Sequence, residues 1–261
     1  LEDVNAGEGG FMMVPGSHKS NVATPEDILT GADDKDFLWQ PVLKAGDLLI
    51  VGLSVLQGIR PWLGEGTQRL LSYEYVGRGV MGSAGVGPDA EKYPQPEWMP
   101  ELTPEQQASL YKPGYRDTTP PPTLVTDGET VTVDASRKIF HPSILIKDPN
   151  SMIDETEFYF WDLNGYLVLR GVMDDAWLAE ANAVVDAFED QIVVGEVTSG
   201  KSKSLVGTGR PELKGLLQLP APHCDPFRRM IAHSVIEHRL NWMGASGGRT
   251  GSPSVFASVK G

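Results

Sequence analysis

His223, Cys224 and Asp225 spell His-x-Asp, the most suggestive metal-ligand spacing in the chain. A facial triad of two His and one carboxylate holds Fe(II) and leaves positions open for a co-substrate and oxygen. The surroundings favour a different role. Asp225 stands before Pro226 and an amphipathic run, the pattern of a helix start. Its carboxylate is therefore expected to act as an N-cap that accepts backbone N–H groups. Metal ligation by His223 and Asp225 is the alternative. His233 and His238 are five residues apart, about 140° around a helix, and do not form an i, i+4 chelating pair. His141 precedes Pro142 and reads as a loop residue. His18, in a turn with Pro15, Gly16 and Ser17, reads as structural. Cys224 beside His223 is no nucleophile pair, because adjacent side chains do not align as nucleophile and base. The Gly-rich run 77–87 has neither a Walker nor a Rossmann pattern.

Composition narrows the partners. A formal charge of −13 over 261 residues argues against nucleic acid or an anionic membrane as the main partner. The single Cys excludes an internal disulfide and suits a reducing compartment, so a cytoplasmic location is expected. No apolar run approaches transmembrane length. The chain starts at Leu1 and stops at Gly261 after a strand-like run, so both ends read as cut.

The elements that would position these residues change character along the chain. Residues 1–80 read as short strands separated by Gly and Pro: 11–14, 37–43, 47–53 and 69–76. TPEDIL (24–29) reads as a short helix with Thr24 as its cap. The stretch 77–100 reads as an irregular loop. TPEQQASLY (103–111) opens a helix with Thr103 and Gln106 as a possible capping box. The Pro-rich run TTPPPT (118–123) marks a boundary. Beyond it lie strand-like TVTVDA and SILIKD, then GYLVLRG, another strand. Asp174 or Asp175 caps the following helix, where Leu178, Ala181, Val184, Val185 and Phe188 share a face. Residues 195–215 read as a surface loop. A second helix is expected from Asp225 to about Met243, with Phe227, Met230, Ile231, Val235, Leu240 and Trp242 on its apolar face. Ser254–Val259 reads as a strand.

GGFMMVPGSHKSN (9–21), AGDLLIV (45–51), QGIRPW (57–62) and QRLLSYEY (68–75) follow one another in the first third. This succession resembles the C-terminal half of the phytanoyl-CoA dioxygenase-like family of Fe(II)/2-oxoglutarate oxygenases. WDLNGYLVLRGVMDDAWLAEANAVVDAF (161–188) and PHCDPFRRMIAHSVIEHRLNWM (222–243) resemble the opening of the same kind of domain. The resemblance implies a β-rich α+β fold, a partial double-stranded β-helix (jelly roll) with flanking helices. It divides the chain into 1–116, the end of one domain; 117–156, a Pro-rich linker and an unassigned segment; and 157–261, the truncated start of a second. The two outer parts are expected to pack together, since each alone would leave strand edges bare.

The resemblance also implies site residues. Arg69 matches the Arg that clamps the far carboxylate of 2-oxoglutarate, a task suited to a planar guanidinium. Gln57 stands where the family has its distal His, and an amide oxygen is a poor Fe(II) ligand. In that family the PHCDPFRR-like stretch lies upstream of the true ligand pair. The implied cofactors are Fe(II) and 2-oxoglutarate, and the implied partner is a small-molecule substrate. The implied activity is that of a 2-oxoglutarate-dependent dioxygenase or hydroxylase, with this chain a fragment of a tandem protein and inactive by itself. The alternative is a degenerate oxygenase-fold domain that binds or scaffolds without catalysis.

Overall fold

The computed structural model describes residues 1–29, 36–73, 75, 97–104, 106–107, 123–126, 131–134, 155–195, 210–236, 239 and 258–260. They form a mixed α and β structure with small antiparallel sheets and no closed barrel. The chain divides into two compact units. One comprises Leu1–Leu71, Asp154–Lys214 and Ser258–Gly261; the other comprises Ser72–Ile153 and Gly215–Ala257.

In the first unit, β1 (Gly10–Met13) runs antiparallel to β3 (Gln57–Arg60), with Gly10 opposite Arg60 and Met13 opposite Gln57. The strand expected at 37–43 is replaced by two isolated bridges, Met13 to Trp39 and Val4 to Leu43. Pro41 lies between them and has no N–H to continue a ladder. TPEDIL forms a short helix, α1 (Glu26–Leu29).

The rear segment of this unit docks on its front segment, as expected. Strand β2 (Leu48–Val51) pairs with β7 (Tyr166–Leu169), Leu48 opposite Leu169 and Val51 opposite Tyr166. Along β7, Leu167 and Leu169 are buried while Tyr166 and Val168 are half-buried, the alternation a pleated strand imposes. The turn before β2 is fixed by the same docking. Asp47 accepts the N–H groups of Lys44 and Gly171, both at 2.9 Å, and pairs with Arg170. Gly46 has φ +87°, and a Cβ there would lie 2.2 Å from the Met173 carbonyl oxygen, so only glycine fits.

Helix α2 (Glu155–Asn164) precedes β7 and buries none of its side chains. Sequence periodicity gives no sign of it, because its apolar residues fall on several faces. Helix α3 (Asp175–Ala187) follows the pattern read from sequence. Asp174 is the N-cap and accepts the Trp177 N–H at 2.8 Å. Leu178, Ala181, Val184 and Val185 are buried, joined by Trp177, while Phe188 sits half-buried just past the end.

A four-stranded sheet contains β4 (Leu70–Ser72), β8 (Val193–Gly195), β9 (Arg210–Leu213) and β10 (Ser258–Lys260), in the order β4-β10-β9-β8. The surface-loop reading of 195–215 is thus corrected at its ends, where β8 and β9 pair antiparallel. Residues 196–209 lie outside the described residues, as do SILIKD, most of the 77–100 loop and the prolines of the 118–123 boundary.

In the second unit, β5 (Thr123–Thr126) and β6 (Val131–Asp134) form an antiparallel pair. The capping box forms in both directions. The Gln106 N–H donates to Thr103 Oγ1 at 3.3 Å, and the Thr103 N–H donates to Gln106 Oε1 at 3.1 Å. The long helix expected from Asp225 is not continuous. Helix α4 spans only Asp225–Arg228. Beyond it the backbone passes through turns at 229–232, with the Ile231 N–H donating to the Arg228 carbonyl at 3.1 Å, and returns to helix at 234–236. Phe227, Met230 and Ile231 are buried as expected; Leu240 and Trp242 lie outside the described residues.

Candidate functional site

Arg69 stands immediately before β4, and its guanidinium meets α3. Nη2 pairs with Oδ1 of Asp186 at 2.5 Å, and Nη1 donates to Oδ1 of Asn182 at 3.3 Å. The two acceptors are four residues apart and share one helix face. Asp186 lies in the last turn of α3, which contains no Lys, Arg or His. A carboxylate there faces the partial negative charge of the helix end, and Arg69 supplies the missing cation. Asp186 and Asn182 were not anticipated from sequence. The available signal was an acidic residue in a last helical turn with no basic neighbour.

Gln57 is exposed at the start of β3, opposite Met13. His18, in the turn after β1, donates from Nε2 to the Asp162 carbonyl at 3.0 Å, and Lys19 pairs with the Asp162 carboxylate at 2.6 Å. The same turn is held by the Gly16 N–H, which donates to the Asn164 carbonyl at 2.8 Å. The structural reading of His18 therefore holds: the turn is a latch onto the end of α2.

His223 and Asp225 belong to the second unit, whereas Gln57 and Arg69 belong to the first. The capping assignment for Asp225 is corrected by one position. Cys224 occupies the cap without a side-chain cap bond, and Asp225 is the first helical residue. The reason is local: the Phe227 and Arg228 N–H groups already reach the Cys224 carbonyl at 3.1 and 3.0 Å. Cys224 is buried and its thiol donates toward Asp225 Oδ1 at 3.5 Å; burial pushes the thiol pKa up, away from reactive thiolate. His233 is shifted the other way, its pKa lowered by burial. His141 and His238 lie outside the described residues.

Arg228 is the strongest polar centre that sequence reading did not single out. It is buried, donates from Nε to the Leu217 carbonyl at 3.0 Å and pairs through Nη1 with Glu101 at 2.7 Å. Its guanidinium carbon stands 4.7 Å from the centre of the Trp98 ring. Gln106 Nε2 donates to the Arg228 carbonyl at 2.7 Å. Among the described residues, the polar contacts of this side chain are to its own unit, and they hold that unit together.

Among the described residues, no group of three or more His, Cys, Asp and Glu side chains could hold a metal ion. Gln57, the described residue at the implied distal-ligand position, does not fit Fe(II), because it offers an exposed amide in place of an imidazole. Arg69, the residue that the resemblance implies for 2-oxoglutarate, is paired with the carboxylate of Asp186. Comparison with protein-family models, curated proteins and solved structures gives no match. No helix among the described residues is long and apolar enough to cross a membrane.

Proposed function

We propose that this chain carries parts of a phytanoyl-CoA dioxygenase-like fold and works as a carboxylate-binding or scaffold module, not as an iron oxygenase. The reading takes its strand order from GGFMMVPGSHKSN, AGDLLIV, QGIRPW and QRLLSYEY, and its partial jelly-roll architecture from the same resemblance. The observation that carries it is the state of Arg69. Its side chain is three-quarters buried and its guanidinium engages a carboxylate, while the residue at the expected metal position is a neutral, exposed glutamine. A clamp for an anion is retained where a distal imidazole is replaced. The ligand class is a small carboxylate, with 2-oxoglutarate the member that the resemblance implies.

Two measurements test this. Calorimetric titration of 2-oxoglutarate should show binding that Arg69→Ala weakens by roughly 1.5–3 kcal/mol, the worth of a charge-assisted bond. Equal affinity in both proteins would remove Arg69 from the assignment. Anaerobic addition of Fe(II) and 2-oxoglutarate should give no metal-to-ligand charge-transfer band, and aerobic incubation no succinate above a metal-free control. Succinate formation abolished by His223→Ala or Asp225→Ala would restore the oxygenase reading.

A further inference from the structure

We infer that Asp186 is an internal carboxylate that keeps the Arg69 anion site closed until a free carboxylate displaces it. The inference rests on the reading of Arg69 as an anion contact and adds how that contact is regulated.

The two partners are unequally placed. The Arg69 side chain is 24% exposed, fixed between the start of β4 and α3, while the Asp186 side chain is 64% exposed. The cation is held by the fold and the anion stands in solvent. A solute carboxylate can approach from the side that Asp186 occupies, and Asp186 can turn away into water without disturbing packing. An ion pair with one member so exposed adds little to stability.

The contact is also incomplete. A guanidinium presents five N–H donors in a planar fork, and a carboxylate meets it best through two parallel bonds. Asp186 engages Nη2 with Oδ1 alone, while Nη1 is turned to the neutral amide oxygen of Asn182. A free carboxylate that takes both Nη groups makes the better contact. Opposing it is the helix end. Once released, Asp186 leaves its charge in the last turn of α3 with no other cation in that turn. Asp186 therefore sets a threshold concentration below which the site stays filled by the protein's own side chain.

The test uses the full chain and titrates 2-oxoglutarate and succinate into wild type, Asp186→Asn, Arg69→Met and the double variant. Asp186→Asn keeps the shape and removes the charge. It should bind both dicarboxylates about threefold more tightly than wild type, the factor expected when a mostly exposed ion pair no longer competes. The double variant should lose that gain. If Arg69→Met weakens binding but Asp186→Asn does not strengthen it, the lock is wrong and the anion contact stands. If all four proteins bind alike, or none binds, both ideas fall. Circular dichroism checks the fold, and Asp186→Ser is the second variant. Unfolding by both would make Asp186 a structural tie and overturn the lock.

Discussion

The imidazole of His18 stands where a side chain at position 165 would have to go: a Cβ on Gly165 would lie 2.6 Å from His18 Nδ1. Gly165 also has φ +77°, and its carbonyl accepts the Gly52 N–H at 2.9 Å. This residue joins the end of α2 to β7, and the turn around His18 closes over it. Gly165→Ala combines a left-handed backbone with a clash against a ring that is already hydrogen-bonded. It should cost about 2–4 kcal/mol. Urea unfolding measures this, and a loss below about 0.5 kcal/mol would mean that the ring moves aside freely.

Asp47 gives the first unit an acid-sensitive joint. Burial alone would raise its pKa, but the Lys44 and Gly171 N–H groups and the Arg170 guanidinium outweigh burial and hold it below the ordinary value of 3.8. A carboxyl with a depressed folded-state pKa contributes stability above its unfolded pKa and loses it as pH falls through the folded one. Stability should therefore drop below about pH 4 in wild type. Asp47→Asn should cost about 1.5–3 kcal/mol at neutral pH and show a flatter acid limb. Parallel acid limbs for the two proteins would rule out this joint.

Arg228→Met should destabilise the second unit by roughly 1–2 kcal/mol, because it leaves the Leu217 carbonyl without its donor, while the mostly exposed Glu101 turns to water. Arg228→Lys should rescue little, since an ammonium cannot reach both acceptors while lying over the Trp98 ring. Trp fluorescence during denaturant unfolding reports the change. Full rescue by lysine would show that charge alone matters there.

The Tyr73 hydroxyl donates to the Phe227 carbonyl at 2.7 Å, and Tyr75 donates to that of Met230 at 3.2 Å. Burial first, and the neighbouring Tyr75 second, push the Tyr73 pKa well above 10. The folded state then holds its phenol proton where the unfolded chain releases it, so stability falls as pH rises past about 10. Tyr73→Phe should cost about 1 kcal/mol at pH 7 and lose part of that alkaline slope. An unchanged slope in the variant would assign the alkaline loss to other groups.

What the sequence made legible was local. A cap at Asp174 or Asp175, the reciprocal bonds of Thr103 and Gln106, and the buried face of α3 follow from spacing and side-chain chemistry within a few residues. What it hid was decided elsewhere in the chain. The helix from Asp225 stops at Arg228, and tyrosine hydroxyls from distant positions reach the carbonyls of Phe227 and Met230 around that break. Helix α2 leaves Phe158, Tyr159 and Leu163 45%, 69% and 50% exposed, so it carries no amphipathic pattern to read. Arg69 was singled out by the family resemblance, but its partner Asp186 lies more than a hundred positions away and was not.

The ladder between β2 and β7 also sets an order of events at the ribosome. Leu48, Leu49, Ile50 and Val51 emerge more than a hundred residues before the strand that pairs with them. At about 5–20 residues per second, that apolar edge waits roughly 6–24 s for its partner. Throughout that interval it is a bare strand of four aliphatic side chains, open to any other nascent edge. Yield of soluble protein should thus depend on chaperone supply and on translation speed across the stretch between β2 and β7 more than on the stability of the finished molecule.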